Sequence, residues 1–159
     1  MSKKTVIDLF CGCGGLSQGF IKAGYNVVLG IDNWKDAINT FNHNHREANG
    51  ILADLFIESP DSISTKTGIT KADIIIGGPP CQGFSIAGKR IVEDERNELY
   101  KSFVHFVEHY QPEAFLMENV PNILSMGKGM VKEKIKKDFE KIGYTVNTET
   151  LMSSNYGVP

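Results

Sequence analysis

The sequence predicts an α/β fold with a doubly wound, mainly parallel sheet, and three observations support this prediction. Short apolar patterns typical of strands alternate with longer helical patterns, and this order favours parallel strands joined by helices. The pattern at Ala72–Ile76 is rich in isoleucine and has no polar alternation, as expected of a strand covered on both faces. A glycine-rich turn at residues 12–15 lies between the first strand pattern and the first helical pattern. Folds of this class bind ligands beyond the carboxyl ends of their strands.

Each element is predicted from its own stretch of sequence. The predicted strands are apolar runs at Thr5–Phe10, Asn26–Ile31, Gly50–Ala53, Ala72–Ile76, Ala114–Met117 and Tyr144–Leu151. The predicted helices carry apolar residues at helical spacing, namely Leu16, Phe20 and Ala23; Ala37, Ile38 and Phe41; Leu99, Phe103, Phe106, Val107 and Tyr110; and Val131, Ile135, Phe139 and Ile142. Gly24 and Gly143 are placed to end the first and last of these helices. Residues 56–70 are polar and turn-rich, which predicts a loop.

The composition is typical of one intracellular domain. A chain of 159 residues with 41% hydrophobic content can bury a core of its own. The net charge of −2 gives no global basic field of the kind that announces a nucleic-acid partner, although a local cleft can still be basic. Three cysteines are few and odd in number, which argues against a disulfide scaffold. No apolar run resembles a signal peptide or a membrane span, so we expect a cytoplasmic protein.

The turn after the first strand has the features of a nucleotide-type site. Gly12, Gly14 and Gly15 allow a ligand to approach the backbone, and the following helix start offers unpaired N–H groups. Asp32, at the end of the next strand, could accept hydrogen bonds from ribose hydroxyls. Ser17 stands where a dinucleotide fingerprint has its third glycine, and no Lys-Ser/Thr pair follows. A nucleoside without pyrophosphate, such as S-adenosylmethionine, therefore fits better than NAD or ATP, although a plain tight turn remains the alternative.

Cys81 is the candidate nucleophile. It follows Pro79 and Pro80, and because proline fixes φ, the turn presents its side chain in a fixed direction. A nucleophile needs such a rigid position, since misplacement of the reacting atom by about 1 Å can lower the rate ~100-fold. The alternative is a cysteine that packs as a small hydrophobe. Glu118, at the end of the fifth predicted strand, would point into the same cleft and handle a proton or hydrogen bond, unless it forms an N-cap or ion pair.

A metal site is not expected. Two sets of side chains invite the idea, Cys11 and Cys13 with His43 and His45, and the helical pair His105 and His109. The Cys-x-Cys spacing is one residue too tight for the usual zinc knuckle, and the helical pair lies on a polar face.

Together these stretches resemble the DNA cytosine-5 methyltransferase family. Asp8–Phe20 (DLFCGCGGLSQGF) resembles its cofactor motif, and Gly78–Ser85 (GPPCQGFS) resembles its catalytic motif. Asp94–Leu99, Glu118–Val120 and Asn155–Pro159 resemble three further motifs, in matching order and spacing. The resemblance implies a Rossmann-like, S-adenosylmethionine-dependent methyltransferase fold and a prokaryotic enzyme of a restriction-modification system that acts on double-stranded DNA.

The resemblance also implies a mechanism. The thiolate of Cys81 would add to C6 of a cytosine, which makes C5 nucleophilic enough to take a methyl group from S-adenosylmethionine. Loss of the C5 proton and elimination of Cys81 would release 5-methylcytosine. Glu118 would hold N3 and the exocyclic amine and stabilise the charge that develops on the base. The base would have to be flipped out of the duplex.

Two sets of binding residues follow from the resemblance. The implied cofactor contacts are Phe10, Gly12, Gly14, Gly15, Asp32, Asn33, Trp34, Asp54, Leu55, Pro80 and Leu99. The implied DNA contacts are Gln82, Ser85, Lys89 and Arg90, the last two as phosphate contacts. The sequence departs from the family pattern after Asp32, where many members have an aromatic residue and this chain has Asn33 followed by Trp34.

The family pattern continues beyond Pro159 with a Gln-x-Arg segment, a target-recognition region and a C-terminal return. We therefore expect residues 1–159 to be the N-terminal part of the catalytic, cofactor-binding domain, without the target-recognition domain. The chain would be a fragment, or one half of a split enzyme whose complementing polypeptide carries that region. Three other interpretations are an NAD-dependent oxidoreductase, a transfer-RNA cytosine methyltransferase, and a binding subunit without catalysis.

Overall fold

The structure is a computed structural model that describes residues 2–80 and 99–158. Its strands are β1 (Thr5–Leu9), β2 (Asn26–Asp32), β3 (Asn49–Leu52), β4 (Ile74–Gly77) and β5 (Ala114–Met117). Its α-helices are α1 (Gly15–Lys22), α2 (Lys35–Asn44), α3 (Pro60–Thr67), α4 (Leu99–Tyr110) and α5 (Met130–Lys141). Short 3-10 helices lie at Pro121–Leu124, Met126–Gly129 and Ser153–Tyr156. The chain forms two compact units, Met1–Asn119, which holds the sheet, and Val120–Pro159, which holds α5.

The sheet has the strand order β3-β2-β1-β4-β5, and each neighbouring pair of these described strands is parallel. The chain builds outward from β1 to β3 and then returns to place β4 on the other side of β1. In the β1–β4 pair, Leu9 is in register with Gly77, so both strands end at the same level. The order of the strands reverses between β1 and β4, and the chain leaves these two strands in opposite directions. Ligands bind in the crevice that such a reversal creates.

Helices pack on both faces of this sheet. Val6 and Ile76 share one buried cluster with Ile38 and Phe41 of α2, and Phe20 of α1 packs against the same cluster. The opposite face is covered by α4.

On that second face, Phe103 of α4 meets the ring of Phe115 in β5, with ring centroids 6.2 Å apart. The hydroxyls of Ser64 in α3 and Tyr110 in α4 are hydrogen-bonded at 2.8 Å, so α3 lies beside α4. The prediction of an α/β fold with a doubly wound parallel sheet is therefore confirmed.

The predicted loop at residues 56–70 is wrong, because α3 forms there. Ser59 caps this helix, accepting the backbone N–H of Ser62 at 3.2 Å, and Pro60 occupies its first turn. Gly68 ends it in a left-handed conformation, with φ +73°. The helix buries only Ile63 completely, so it has almost no apolar periodicity that the sequence could reveal.

The sixth predicted strand, Tyr144–Leu151, is also wrong. These residues form no strand in the structure, and most of them are exposed. A strand needs a neighbour to accept and donate its backbone hydrogen bonds. None of the described strands is paired with this stretch. The Val120–Pro159 unit instead consists of α5, with buried Ile135 and Phe139, and the short 3-10 helices.

No helix formed by the described residues is both long enough and apolar enough to cross a membrane.

Candidate functional site

The turn between β1 and α1 is built from an unusual run of backbone conformations. Phe10, Gly12 and Gly14 all have positive φ, at +57°, +53° and +87°. Glycine tolerates this region, whereas a residue with a Cβ rarely adopts it. The N–H of Cys11 donates to the carbonyl of Ile31 at 3.0 Å, which ties the start of the turn to the end of β2. The chain then enters α1 at the carboxyl edge of the sheet.

The three predicted glycine contacts differ in their surroundings. At Gly12 and Gly15, an added Cβ would meet no described atom within 4 Å, so the turn is open on that side. At Gly14, the Cβ would lie 2.1 Å from Nε2 of His45. The buried histidine leaves no room for a side chain at position 14, so the glycine there is explained by packing and does not require a bound ligand. The sequence suggested His45 only as a possible metal ligand and did not predict this packing.

Asp32 connects the end of β2 to the turn. Its Oδ2 accepts the backbone N–H of Gly12 at 2.9 Å, and its Oδ1 accepts the N–H of Trp34 at 2.9 Å. Each carboxylate oxygen can accept a further hydrogen bond, and the side chain is only half-buried. Asp32 therefore holds the turn in shape and can still receive a ligand hydroxyl. The sequence predicted the second role and did not predict the first.

The predicted adenine side of the site follows β2 and β3. Trp34 is 65% exposed, and Asn33 before it is exposed as well. Oδ1 of Asp54 accepts the N–H of Phe56 at 2.9 Å, an Asx turn in which its second oxygen takes no part. Leu55 is only 5% exposed, so its side chain packs in the core.

Phe56, which sequence reasoning did not single out, is 52% exposed. Trp34 and Phe56 are two uncovered aromatic side chains that follow adjacent strands. Exposed aromatic rings at a binding edge can stack on a flat heterocycle.

On the other side of the crevice, close packing dictates the glycines that end β4. A Cβ on Gly77 would lie 2.0 Å from the carbonyl oxygen of Leu9 in β1. A Cβ on Gly78 would lie 3.0 Å from Oε2 of Glu118. The carboxylate of Glu118 therefore lies over the backbone of Gly78, on the segment that leads to the predicted nucleophile. Sequence reasoning had predicted this neighbourhood from the two strand ends alone.

The end of β5 is fastened to the prolyl segment. The N–H of Glu118 donates to the carbonyl of Gly77 at 2.9 Å, and Nδ2 of Asn119 donates to the carbonyl of Pro79 at 2.8 Å. Pro79 is buried and Pro80 is exposed. These contacts fix the Glu118 backbone relative to the first proline. Leu99, another predicted cofactor contact, is the first residue of α4 and is half-buried.

The predicted nucleophile and the predicted DNA contacts lie outside the described residues. They are Cys81, Gln82, Ser85, Lys89 and Arg90. Their roles stay predictions.

Beneath the turn lies a buried acidic residue that sequence reasoning did not single out. Asp8 is 1% exposed, and its Oδ2 accepts the hydroxyl of Ser17 at 2.6 Å, which joins β1 to the first turn of α1. Burial raises the pKa of Asp8 to about 7, against the opposing effect of the Ser17 hydrogen bond. Its Oδ1 has no hydrogen-bond partner among the described residues. Burial, and then the nearby Asp8 carboxylate, raises the pKa of the Cys11 thiol, so Cys11 is a poor nucleophile.

No group of three or more His, Cys, Asp or Glu side chains within residues 2–80 and 99–158 is arranged to hold a metal ion.

The sequence comparison settles the family. The family model of the C-5 cytosine-specific DNA methylases matches residues 4–159. The chain belongs to this family. The resemblance inferred from the five motifs is confirmed, and an NAD-dependent oxidoreductase is excluded.

Two relatives within the C-5 cytosine-specific DNA methylases show how much of the protein this chain represents. The Type II methyltransferase M.DdeI of Desulfomicrobium norvegicum is 43% identical over 158 residues, which are 98% of this chain and 38% of the relative. The Type II methyltransferase M.AgeI of Thalassovita gelatinovora is 41% identical over 155 residues, 96% of this chain and 36% of the relative. The chain thus spans less than two-fifths of either relative.

Solved structures agree with the methylase family. A protein described as a DNA modification methyltransferase encoded within an E. coli prophage superposes with a TM-score of 0.73 at 36% identity, over 87% of this chain and 38% of that one. The S. pombe Dnmt2 methyltransferase superposes with a TM-score of 0.64 at 20% identity, over 86% of this chain and 41% of that one. The second match supports the fold alone.

Proposed function

We propose that this chain is the cofactor-binding and catalytic part of a DNA cytosine-5 methyltransferase, which transfers a methyl group from S-adenosylmethionine to C5 of a flipped cytosine. One observation carries the proposal. The glycine turn follows β1, and the prolyl segment follows the adjacent parallel strand β4, whose Gly77 is in register with Leu9 of β1. Asp32 is hydrogen-bonded to the turn and Glu118 lies over the prolyl segment, so both carboxylates lie at this one edge of the sheet. A cofactor held by the first and a base held by the second would meet in the same crevice.

The residues at the turn fit S-adenosylmethionine. The open side at Gly12 and Gly15 admits a ligand to the backbone, Asp32 has unused acceptor capacity for ribose hydroxyls, and the exposed ring of Trp34 could cover the adenine. Nothing in the turn resembles a pyrophosphate cradle. When bound, the cofactor supplies an electrophilic methyl group on a sulfonium.

On the base side, we assign the chemistry to Cys81 and Glu118. The thiolate of Cys81 forms a bond to C6 of the cytosine, and Glu118 holds N3 and the exocyclic amine as electron density moves into the ring. After C5 has gained the methyl group, a base removes the C5 proton, and the resulting electron pair expels the Cys81 thiolate. The contact of Glu118 with Gly78 supports this assignment, because it positions the carboxylate near the segment that carries Cys81.

We propose that further polypeptide supplies the target-recognition region, either as a continuation of this protein or as a separate subunit. The short span of the chain relative to M.DdeI and M.AgeI supports this. We place the enzyme in the cytoplasm of a prokaryote, as part of a restriction-modification system, because it would act on chromosomal DNA. The Type II methyltransferase names of both relatives favour DNA over transfer RNA as the substrate.

Covalent trapping tests the function. The chain, supplemented with the C-terminal part of a relative such as M.DdeI, is incubated with S-adenosylmethionine and with DNA of that relative's recognition sequence carrying 5-fluorocytosine. Fluorine cannot leave C5 as a proton does, so a covalent protein–DNA complex that resists denaturant is expected. Cys81→Ser should give none, and Cys13→Ser, which changes an exposed cysteine in the turn, should trap normally. If Cys81→Ser still formed the covalent complex, Cys81 would not be the nucleophile. If neither the wild type nor any variant formed it, the result would argue for a non-catalytic subunit.

A further inference from the structure

His45 is a buried residue to which the methyl-transfer chemistry gives no role. It follows the last residue of α2 and is 5% exposed. Its ring packs against Phe41, with ring centroids 4.7 Å apart. Its Nε2 lies 3.1 Å from the carbonyl oxygen of Gly14, a residue 31 positions earlier. The imidazole therefore connects the end of α2 to the start of α1 underneath the glycine turn.

The hydrogen bond defines the chemical form of the ring. A carbonyl oxygen only accepts, so Nε2 must carry the proton and donate. Nδ1 is buried and has no hydrogen-bond partner in the described part of the chain.

This bond acts on a peptide without a side chain, whose carbonyl accepts two hydrogen bonds, one from His45 and one from the backbone of α1. Gly14 has φ +87° and no side chain, and its carbonyl also accepts the N–H of Gln18 at 2.9 Å as the first hydrogen bond of α1. Because a trans peptide is planar, fixing the Gly14 carbonyl directs the N–H of Gly15 the opposite way. Gly15 is also where an added Cβ would meet no described atom within 4 Å. The histidine and the first hydrogen bond of α1 together thus fix the direction of the Gly15 N–H.

We propose that His45 is a positioning residue for cofactor binding, acting by donating its Nε2 proton to the Gly14 carbonyl. This inference rests on the proposed function, since it assumes that the turn holds S-adenosylmethionine. His45 does not touch the cofactor. It limits the rotation of the Gly14–Gly15 peptide, so that the turn binds its ligand without first having to become ordered.

Three substitutions separate the donor from the bulk of the ring. His45→Gln can place an amide N–H where Nε2 stands. His45→Asn has the same amide on a shorter side chain, which does not reach Gly14. His45→Phe keeps a ring of similar size without a donor. His43→Gln is the matched control, because His43 is an exposed residue near the end of the same helix.

The measurement is the Kd for S-adenosylmethionine by isothermal titration calorimetry on the chain supplemented with the C-terminal part of M.DdeI, with the thermal midpoint of each variant determined in parallel. His45→Phe and His45→Asn should bind roughly tenfold more weakly, as expected for the loss of one neutral hydrogen bond. His45→Gln should stay within about threefold of the wild type, and His43→Gln should match it. His45→Gln should bind more tightly than His45→Asn even where the thermal midpoints of these two variants are similar.

A purely structural role would lower the thermal midpoints and leave the Kd of each folded variant unchanged, which would overturn the proposal. Equal weakening by His45→Gln and His45→Asn would also overturn it, because the donor would not then matter. If His45→Phe does not fold, this pair of amide variants decides. If the supplemented wild-type chain does not bind S-adenosylmethionine, the proposed function of the turn fails, and the inference fails with it.

Discussion

Replacing Gly14 by alanine should destabilise the protein far more than the same replacement at the other glycines of the turn. At position 14 two costs combine. A left-handed conformation costs a residue with a Cβ about 1–2 kcal/mol. The new methyl group would also lie 2.1 Å from Nε2 of His45 in a filled site, and overpacking of this kind costs about 1–3 kcal/mol. We therefore expect Gly14→Ala to lower the free energy of unfolding by about 2–5 kcal/mol.

The neighbouring glycines provide controls within the same turn. Gly12 shares the positive φ but has open space around an added Cβ, so Gly12→Ala should cost only the conformational part, about 1–2 kcal/mol. Gly15 has neither constraint and begins α1, so Gly15→Ala should be neutral or slightly stabilising. Urea denaturation followed by far-ultraviolet circular dichroism gives all three values.

A double-mutant cycle with His45→Ala isolates the clash. Removing the imidazole removes the closest contacts of the new methyl group and leaves one with Cδ2 of Phe41 at 2.9 Å, so Gly14→Ala should cost about 1–2 kcal/mol less in the His45→Ala background than in the wild type. The reasoning would be refuted if Gly14→Ala cost no more than Gly12→Ala, or if its cost were the same in both backgrounds.

Two further predictions concern the acidic residues of the site. The pKa of Asp8 is about 7 in the folded protein against an ordinary 3.8, so folding favours the protonated form of this side chain. The contribution of Asp8 to the free energy of unfolding is therefore fully present below pH 4 and is lost as pH rises through 7. Asparagine keeps the acceptor for Ser17 and does not ionise, so the Asp8→Asn variant should not lose this contribution. From pH 5 to pH 8 its free energy of unfolding, measured in urea, should therefore rise by about 2–3 kcal/mol relative to that of the wild type. A difference between the two proteins that does not vary with pH would mean that Asp8 is not the titrating group. Glu118→Gln, tested in the complemented enzyme, should slow single-turnover methyl transfer by about 100-fold with an unchanged Kd for S-adenosylmethionine, because Glu118 lies over Gly78 and not in the glycine turn. An equal loss of cofactor affinity in this variant would move Glu118 from the base side to the cofactor side.

Elements that carry a local sequence signal could be predicted, whereas elements that depend on contacts with distant parts of the chain could not. Ala114–Met117 was predicted with its exact bounds, because a short apolar run between polar residues is a local signal. α3 was missed, since its local signals, Ser59 with Pro60 and then Gly68, were overlooked within a polar stretch. The strand predicted at Tyr144–Leu151 has the right local pattern and is still absent. Strand formation depends on a neighbour, which no pattern within the segment can supply.

The candidate site divides in a similar way. Asp32, Gly12 and Glu118 could be predicted because strand ends of a parallel sheet converge on one edge, and polar residues there stand out. The hydrogen bond from Gly12 to Asp32 and the packing of His45 under Gly14 join residues 20 and 31 positions apart. The first contact depends on the pairing of β1 with β2, and the second depends on how α2 packs on the sheet. Neither composition nor spacing reveals them.

The double hydrogen bonding of Asp32 affects how mutational data on this family should be interpreted. A scan that ranks positions by loss of cofactor binding would place Asp32 high even if the cofactor never touched it, because its removal also releases the N–H groups of Gly12 and Trp34. Binding loss alone therefore cannot distinguish a ligand contact from a scaffold at this position. Changing the ligand can: a cofactor analogue that lacks one ribose hydroxyl loses only the direct contact, and the turn stays intact.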